Sequence, residues 1–283
     1  VTKQHHPARY YAGRFFFYAA LCLFGVVCVL PLYWMFRASF MKNTQILILD
    51  PFVFWPKKMM WSNYSEALSS MNFLLYLGNT LAIVVGNLIG TLLTSAMAAY
   101  AFSRLRWRGR GFCFALILST MMMPGTVTLI SQYLMWNGIH TINTFVPLIL
   151  PSFLGGGAFN IFLLRQFFLG IPKALDEAAT VDGAGSTRIF LSIILPLSKS
   201  ALIVVALFTF LGCWNDFFGP LLYLNSNEKF TLALGLLQFR GEYTAKWNYI
   251  MAASTVVIAP CIVLFLFGQK YLIEGISLTG LKS

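Results

Sequence analysis

The residues of this 283-residue chain with the types and spacing to do chemistry fall into three groups. The first is the stretch Glu177–Pro196, EAATVDGAGSTRIFLSIILP, a polar island between two long apolar runs. Carboxylates gather in and just before it at Asp176, Glu177 and Asp182, beside small side chains at Ala174, Ala178, Ala179 and Ala184. Pro172 suits the first turn of a helix, where its missing N–H costs nothing, and Gly183 suits the left-handed position just past a helix end. The spacing therefore predicts a helix from Pro172 to Asp182. Ala174 and Ala178 lie one turn apart with Ala179 beside them, so one face has little bulk and another backbone can approach closely. Asp176 and Glu177 fall on the remaining surface, free to meet basic groups or water, and Ser186 is placed to cap a second short helix. Such a segment is built to be gripped by another protein.

The second group is Trp214-Asn215-Asp216, and the third is a set of scattered amides, Asn79, Asn87, Gln132 and Asn160, inside apolar runs. Asp216 reads either as a gate or pathway residue or as an interfacial one, because an intramembrane carboxylate is costly unless paired or hydrated. The amides could face a polar cavity or bond to neighbouring helices. Enzyme chemistry finds no carboxylate pair, metal cluster or nucleophile with a nearby base. The five cysteines, Cys22, Cys28, Cys113, Cys213 and Cys261, lie in or beside apolar runs without CxxC pairing and read as small buried apolar residues, so no metal site is expected. No GxxxxGK[ST] phosphate loop occurs, and Gly155-Gly156-Gly157 fits helix bending or close packing better than phosphate binding.

The elements that must position these residues are membrane spans. The chain is 58% hydrophobic and 10% charged, with a mean hydropathy of +0.74, which is far from a soluble composition. Six runs reach spanning length, near Phe15–Phe36, Phe73–Phe102, Phe112–Tyr133, Thr144–Leu164, Ala201–Leu224 and Tyr249–Tyr271. The expected class is an all-α polytopic membrane protein with six transmembrane helices: a tail over 1–14, the six-span domain over 15–271, and a tail over 272–283. Placing both termini in the cytoplasm puts thirteen of the 20 Lys and Arg inside, and the cluster Arg104, Arg106, Arg108 and Arg110 contributes most. The same orientation makes 165–199 a cytoplasmic loop and 225–246 an outside loop. The net charge of +11 reads mainly as this topology signal, with attraction to anionic membrane lipid secondary. No basic stripe interleaved with exposed aromatics speaks for nucleic acid.

In order and spacing, Glu177-Ala178-Ala179, Asp182-Gly183-Ala184 and Ile194-Leu195-Pro196 resemble the cytoplasmic EAA loop of ABC importer permeases. Trp214-Asn215-Asp216-Phe217 is similar to a signature of carbohydrate permeases. Pro31-Leu32-Tyr33-Trp34, Trp61-Ser62-Asn63-Tyr64 and the tail Gln269-Lys270-Tyr271-Leu272 to Gly280-Leu281-Lys282 resemble the shorter permease of the maltose type. The resemblance implies a type I ABC importer permease fold in a bacterial inner membrane. It also implies a second permease subunit, more naturally a different chain than an identical one, two ATPase subunits and an extracytoplasmic solute-binding protein. ATP and Mg would sit on the ATPases, with no cofactor in this chain and no enzymatic activity of its own. Asp176, Glu177, Ala178, Ala179, Asp182, Gly183, Ala184, Leu195 and Pro196 would couple to the ATPases. The amides and Trp214, Asn215 and Asp216 would be candidates for the pathway of a neutral or acidic oligosaccharide, and the loop 225–246 would reach towards the sugar. The competing class is an ion-coupled secondary transporter, which would need mid-membrane ionisable residues and inverted repeats that the sequence does not clearly display.

Overall fold

The computed structural model describes residues 8–46, 54–240 and 245–280, with side chains described between 13 and 272. The early helices are α1 (Ala8–Ser39), α2 (Asn43–Ile46), α3 (Ser62–Ser70) and α4 (Phe73–Ser103). The middle holds α5 (Arg110–Thr120), α6 (Gly125–Gly138), α7 (Val146–Ile149), α8 (Ala158–Gly170) and α9 (Ala174–Val181). Then come α10 (Ser186–Ile189), α11 (Leu195–Leu197), α12 (Lys199–Trp214), α13 (Phe218–Tyr223), α14 (Leu232–Gly235) and α15 (Trp247–Gly280). The described residues form no β-strand beyond one isolated bridge between Arg240 and Ala245. Four stretches are long and apolar enough to cross a membrane, Gly13–Ser39, Phe73–Ser103, Val146–Gly170 and Trp247–Leu272. Two bent pairs bring the count to six.

Helix breaks correct two expected spans. The run Phe112–Tyr133 is not one straight helix: α5 and α6 meet at 95° across Met121–Pro124. Pro124 lacks an N–H and disfavours helical backbone at Met123, so the chain turns there although every residue is apolar or small. The run Ala201–Leu224 is likewise broken: α12 begins at Lys199 and ends at Trp214, and Asp216 lies in the gap before α13. Asp216 is therefore a loop residue between two helices. At its other end α12 meets the Ser186–Leu197 segment at 77°.

The chain divides into two compact units. One contains residues 1–71 and 238–258. Its small core joins Ala38, Met41 and Ile46 to Trp247 and Met251. Asn63, buried, donates to the carbonyls of Ser39 (2.7 Å) and Met41 (2.9 Å) and accepts from Asn248 (3.0 Å). Arg37, one residue past the expected first span, lies in α1, is buried, and stacks 4.6 Å from the Trp34 ring. Most of α1 shows a continuous apolar surface, Cys22 and Cys28 included, which corrects the reading of those two cysteines as buried.

The other unit holds residues 72–237 and 259–283 and is centred on α4. Gly86 and Gly90 let residues 149–153 press against that helix. A Cβ on Gly90 would lie 2.2 Å from Ser152 Oγ and 2.7 Å from the Phe153 ring. Gly155, Gly156 and Gly157 all have positive φ (127°, 66° and 88°), and a Cβ on Gly156 would come within 2.7 Å of the Thr91 carbonyl. These glycines give a close-packed break between a 3-10 turn (Leu150–Leu154) and α8.

Candidate functional site

The polar island folds as a helix pair. α9 spans Ala174–Val181, shorter at both ends than expected, with Pro172 two residues ahead of it and not in its first turn. Its end follows from Gly183, whose φ is +79°. The N–H of Gly183 reaches the Thr180 carbonyl (3.0 Å) and that of Ala184 reaches Ala179 (2.9 Å), the paired bonds of a Schellman stop. Gly185 is the N-cap of α10, and Ser186 makes no capping bond, which corrects its expected role. From Phe190 to Ile194 the helix widens into a π turn, with the Leu195 N–H bonded to the Phe190 carbonyl. That widening accommodates Pro196, which has no N–H to give.

Ile189 and Ile194 bury into a cluster with Ala96, Ala99 and Tyr100 of α4, Leu164 and Phe168 of α8, and Ala201 and Val205 of α12. Ala179, Ala184 and Leu195 pack against its edge. The opposite side is open: Glu177, Ala178 and Asp182 are exposed, as are Leu175 (41%) and Val181 (88%). Exposed apolar side chains beside two carboxylates and an alanine form a surface suited to a protein partner.

Asp176 does not share that outer surface, which corrects the expectation that it is free beside Glu177. It accepts a hydrogen bond from Arg104 at 3.1 Å, and their side chains are 21% and 4% exposed. Arg104 also donates to the carbonyls of Phe168 (2.5 Å) and Ile171 (2.7 Å). One guanidinium at the foot of α4 thus satisfies carbonyls at the end of α8 and holds the first turn of α9. Its planar fork of donors suits that task better than an ammonium would. Tyr100 donates to the Ser186 carbonyl (3.0 Å) at the start of α10. Sequence reasoning read Arg104 only as a topology charge. Its position just beyond a span was visible, whereas partners 64 to 72 residues away were not.

The remaining candidates are dispersed. Asn87 donates to the carbonyls of Ile83 (2.9 Å) and Leu148 (2.9 Å), Asn160 to Gly156 (2.7 Å), and Gln132 to Thr128 Oγ1 (3.0 Å). Asn79 donates to the carbonyls of Glu228 (2.8 Å) and Phe230 (3.0 Å). Thr80 accepts from the Leu232 N–H (2.9 Å), so both residues fasten the segment after Asn225 onto α4. Trp214 is buried, Asn215 donates to the Leu211 carbonyl (2.8 Å), and Asp216 Oδ1 accepts from the Gly219 N–H (3.0 Å) in the first turn of α13. A further anchor, Asn143 (φ +60°), was not foreseen: its Oδ1 accepts from the N–H groups of Asn225 and Ser226 (3.1 Å each). Glu242 of the outside loop and Leu281–Ser283 of the tail lie outside the described residues.

The family model described as "binding-protein-dependent transport system inner membrane component" matches residues 4–277. The chain belongs to this family. The galactooligosaccharides transport system permease protein GanQ of Bacillus subtilis is 32% identical over 97% of this chain and 97% of its own. The arabinooligosaccharides transport system permease protein AraQ of Halalkalibacterium halodurans is 31% identical over 90% of this chain and 92% of its own. The fold matches a chain from the crystal structure of a bacterial ABC transporter involved in import of the acidic polysaccharide alginate. The TM-score is 0.84 at 24% identity, covering 95% of this chain and 99% of that one. This permease thus has the all-α type I importer fold, and it is an inner-membrane component of a binding-protein-dependent transport system.

Proposed function

We propose that this permease forms half of the translocation pathway of an ATP-driven oligosaccharide importer and is driven through the α9–α10 helix pair by separate ATPase subunits. The observation that carries the proposal is the division of α9 into two sides. Asp176 and Ala179 face inward onto Arg104 and the core, while Glu177, Ala178 and Val181 face outward. A helix fixed on one side and uncovered on the other is suited to pass a partner's movement into the spans behind it. ATP and Mg act on the ATPases, and their effect on this chain must come from contacts that differ between transport states, since equal binding to both shifts nothing. Asp182, Gly183 and Ala184 shape the turn, and Leu195 and Pro196 join it to α12.

An oligosaccharide, neutral or acidic, is the substrate class favoured by the sugar-permease relatives. A second permease subunit completes the pathway, a different chain by resemblance to the maltose type, and a solute-binding protein delivers the sugar. Both termini lie in the cytoplasm of a bacterial cell, with α9 on that side, by the distribution of Lys and Arg. Asn79, Asn87, Gln132, Asn160, Trp214, Asn215 and Asp216 remain pathway candidates, of which Asn79 and Asn87 also tie α4 to residues 228–230 and to Leu148.

The test is Ala178→Cys in a chain whose native cysteines are replaced, purified with its ATPase and treated with a short bifunctional cross-linker. The expected result is a specific link to the ATPase whose yield changes with ATP. An active complex in which Cys at this position never links to the ATPase refutes the docking assignment.

A further inference from the structure

We propose that a basic hollow at the foot of α4, α5 and α8 binds the phosphate of an anionic phospholipid headgroup. The hollow has a volume of about 210 Å³ and is lined by Arg104, Arg106, Arg110 and Lys173 against Asp176 and Glu177. The charges do not cancel. Arg104 and Asp176 form the one salt bridge among the described residues, and Arg110 gives an N–H to the Leu105 carbonyl (2.9 Å). Arg106 and Lys173 are exposed and have no anionic partner, while Glu177 alone opposes them. At the buried end, Arg104 also keeps its Nε–H without a hydrogen-bond partner.

Position selects the lipid. The apolar stretches Phe73–Ser103 and Val146–Gly170 both end at this hollow, and α5 begins there at Arg110. Trp107 (40% exposed), Leu169 (41%) and Phe112 (70%) lie beside these ends. Tryptophan concentrates at the headgroup level of a bilayer, and exposed apolar side chains next to a cation pocket offer acyl chains a surface while the phosphate meets the charges. A soluble phosphate would use the charges but not the apolar rim, and an acidic ATPase surface would need no rim at all. The site depends only on membrane embedding, so it stands or falls separately from docking at Ala178.

The test uses the full permease–ATPase complex in nanodiscs of phosphatidylcholine doped with a phosphatidylglycerol bearing a photoreactive headgroup. Labelled peptides are quantified for the natural chain, Arg106→Gln, Lys173→Gln and the double variant. Both side chains are exposed, so the variants leave the packing intact. Labelling of the peptides carrying residues 103–112 and 169–177 is expected to fall about fivefold for each charge removed, and to be absent with a phosphatidylcholine probe. Labelling unchanged in the double variant overturns the proposal. Labelling abolished by soluble glycerol phosphate at no more than the probe lipid's own concentration shows that the apolar rim adds nothing, assigns the hollow to a free phosphate and overturns the lipid. Loss of ATPase association with labelling intact assigns the charges to the partner and overturns it too.

Discussion

Replacing Arg104 with alanine tests the central contact of the helix pair. The guanidinium, 4% exposed, loses three bonds at once: to Asp176 and to the carbonyls of Phe168 and Ile171. A hydrogen bond to a charged group contributes about 1.5–3 kcal/mol, and removing one partner of a buried ion pair costs about 3–5 kcal/mol. Asp176 is 21% exposed although its Oδ1 is buried without a partner, and partial exposure takes the cost towards the low end, about 3 kcal/mol. Asp176→Asn keeps an acceptor and leaves both carbonyl bonds of Arg104 in place, and its cost is about 1 kcal/mol. Arg104→Lys falls between, because an ammonium cannot span all three acceptors with the same geometry.

Hydrogen exchange of the α9 amides, followed by mass spectrometry on the purified complex, reads this directly as local opening. At 1.4 kcal/mol for each factor of ten, Arg104→Ala is expected to speed exchange over Ala174–Ala184 about a hundredfold, and Asp176→Asn about fivefold. The order matters more than either value. Equal effects of Arg104→Ala and Asp176→Asn would mean that the carbonyl bonds contribute nothing, and exchange within twofold of the natural chain in both would refute the clamp.

Gly183→Val is expected to cost about 1–2 kcal/mol through backbone strain alone, since φ is +79° and no atom would lie within 4 Å of its Cβ; Gly183→Asn, which tolerates that conformation, should retain more ATP-coupled uptake, and equal uptake in the two would count against the Schellman stop. Gly90→Ala should lower the melting temperature, by an overpacking cost of about 1–3 kcal/mol, because its Cβ would meet Ser152 and Phe153. Gly78→Ala on the same helix meets nothing within 4 Å and should be neutral or better, so indistinguishable melts would contradict the packing at Gly90. Thr80→Val strands the buried N–H of Leu232 at a cost of about 1–3 kcal/mol, and should expose residues 225–235 to proteolysis; unchanged cleavage would show that the hydroxyl does not fasten that segment.

What the sequence revealed divides by the range of the interactions. The stop at Gly183 was legible because a helix end is decided by the residues that form it, and the apolar runs were legible because a span is set by length and hydropathy. Breaks inside those runs were not, since the hydropathy of Met121–Met123 is the same in a straight helix as in a 95° turn. Pro124 was the available signal. The partition of Asp176 from Glu177 was also hidden. Adjacent carboxylates look equivalent until Arg104, 72 residues earlier, is folded against one of them. The amides Asn79 and Asn87 were legible as polar groups in an apolar run that either face a cavity or bond to a neighbouring helix, but which carbonyls they meet depends on how α4 packs against residues 148 and 228–230.

The helix pair is stiff where it meets α9 and jointed where it meets α12, and this asymmetry bears on how a pull on it would travel. Two Schellman bonds close the α9–α10 turn, the Arg104 clamp ties α9 to α4 and α8, and Tyr100 ties α10 to α4. A displacement at Ala178 would therefore move the feet of α4 and α8 with it, because a slip would break charge-assisted bonds. Towards α12 the connection runs through a π turn, a proline and the 77° bend at Ser198, whose buried hydroxyl has no partner. Among the described residues no side-chain hydrogen bond crosses that bend, and Ile194 meets Ala201 and Val205 across it only through apolar packing. A movement applied to α9 would thus enter α4 and α8 through hydrogen bonds and α12 through apolar packing alone, a contact that constrains angle less than charge-assisted bonds do.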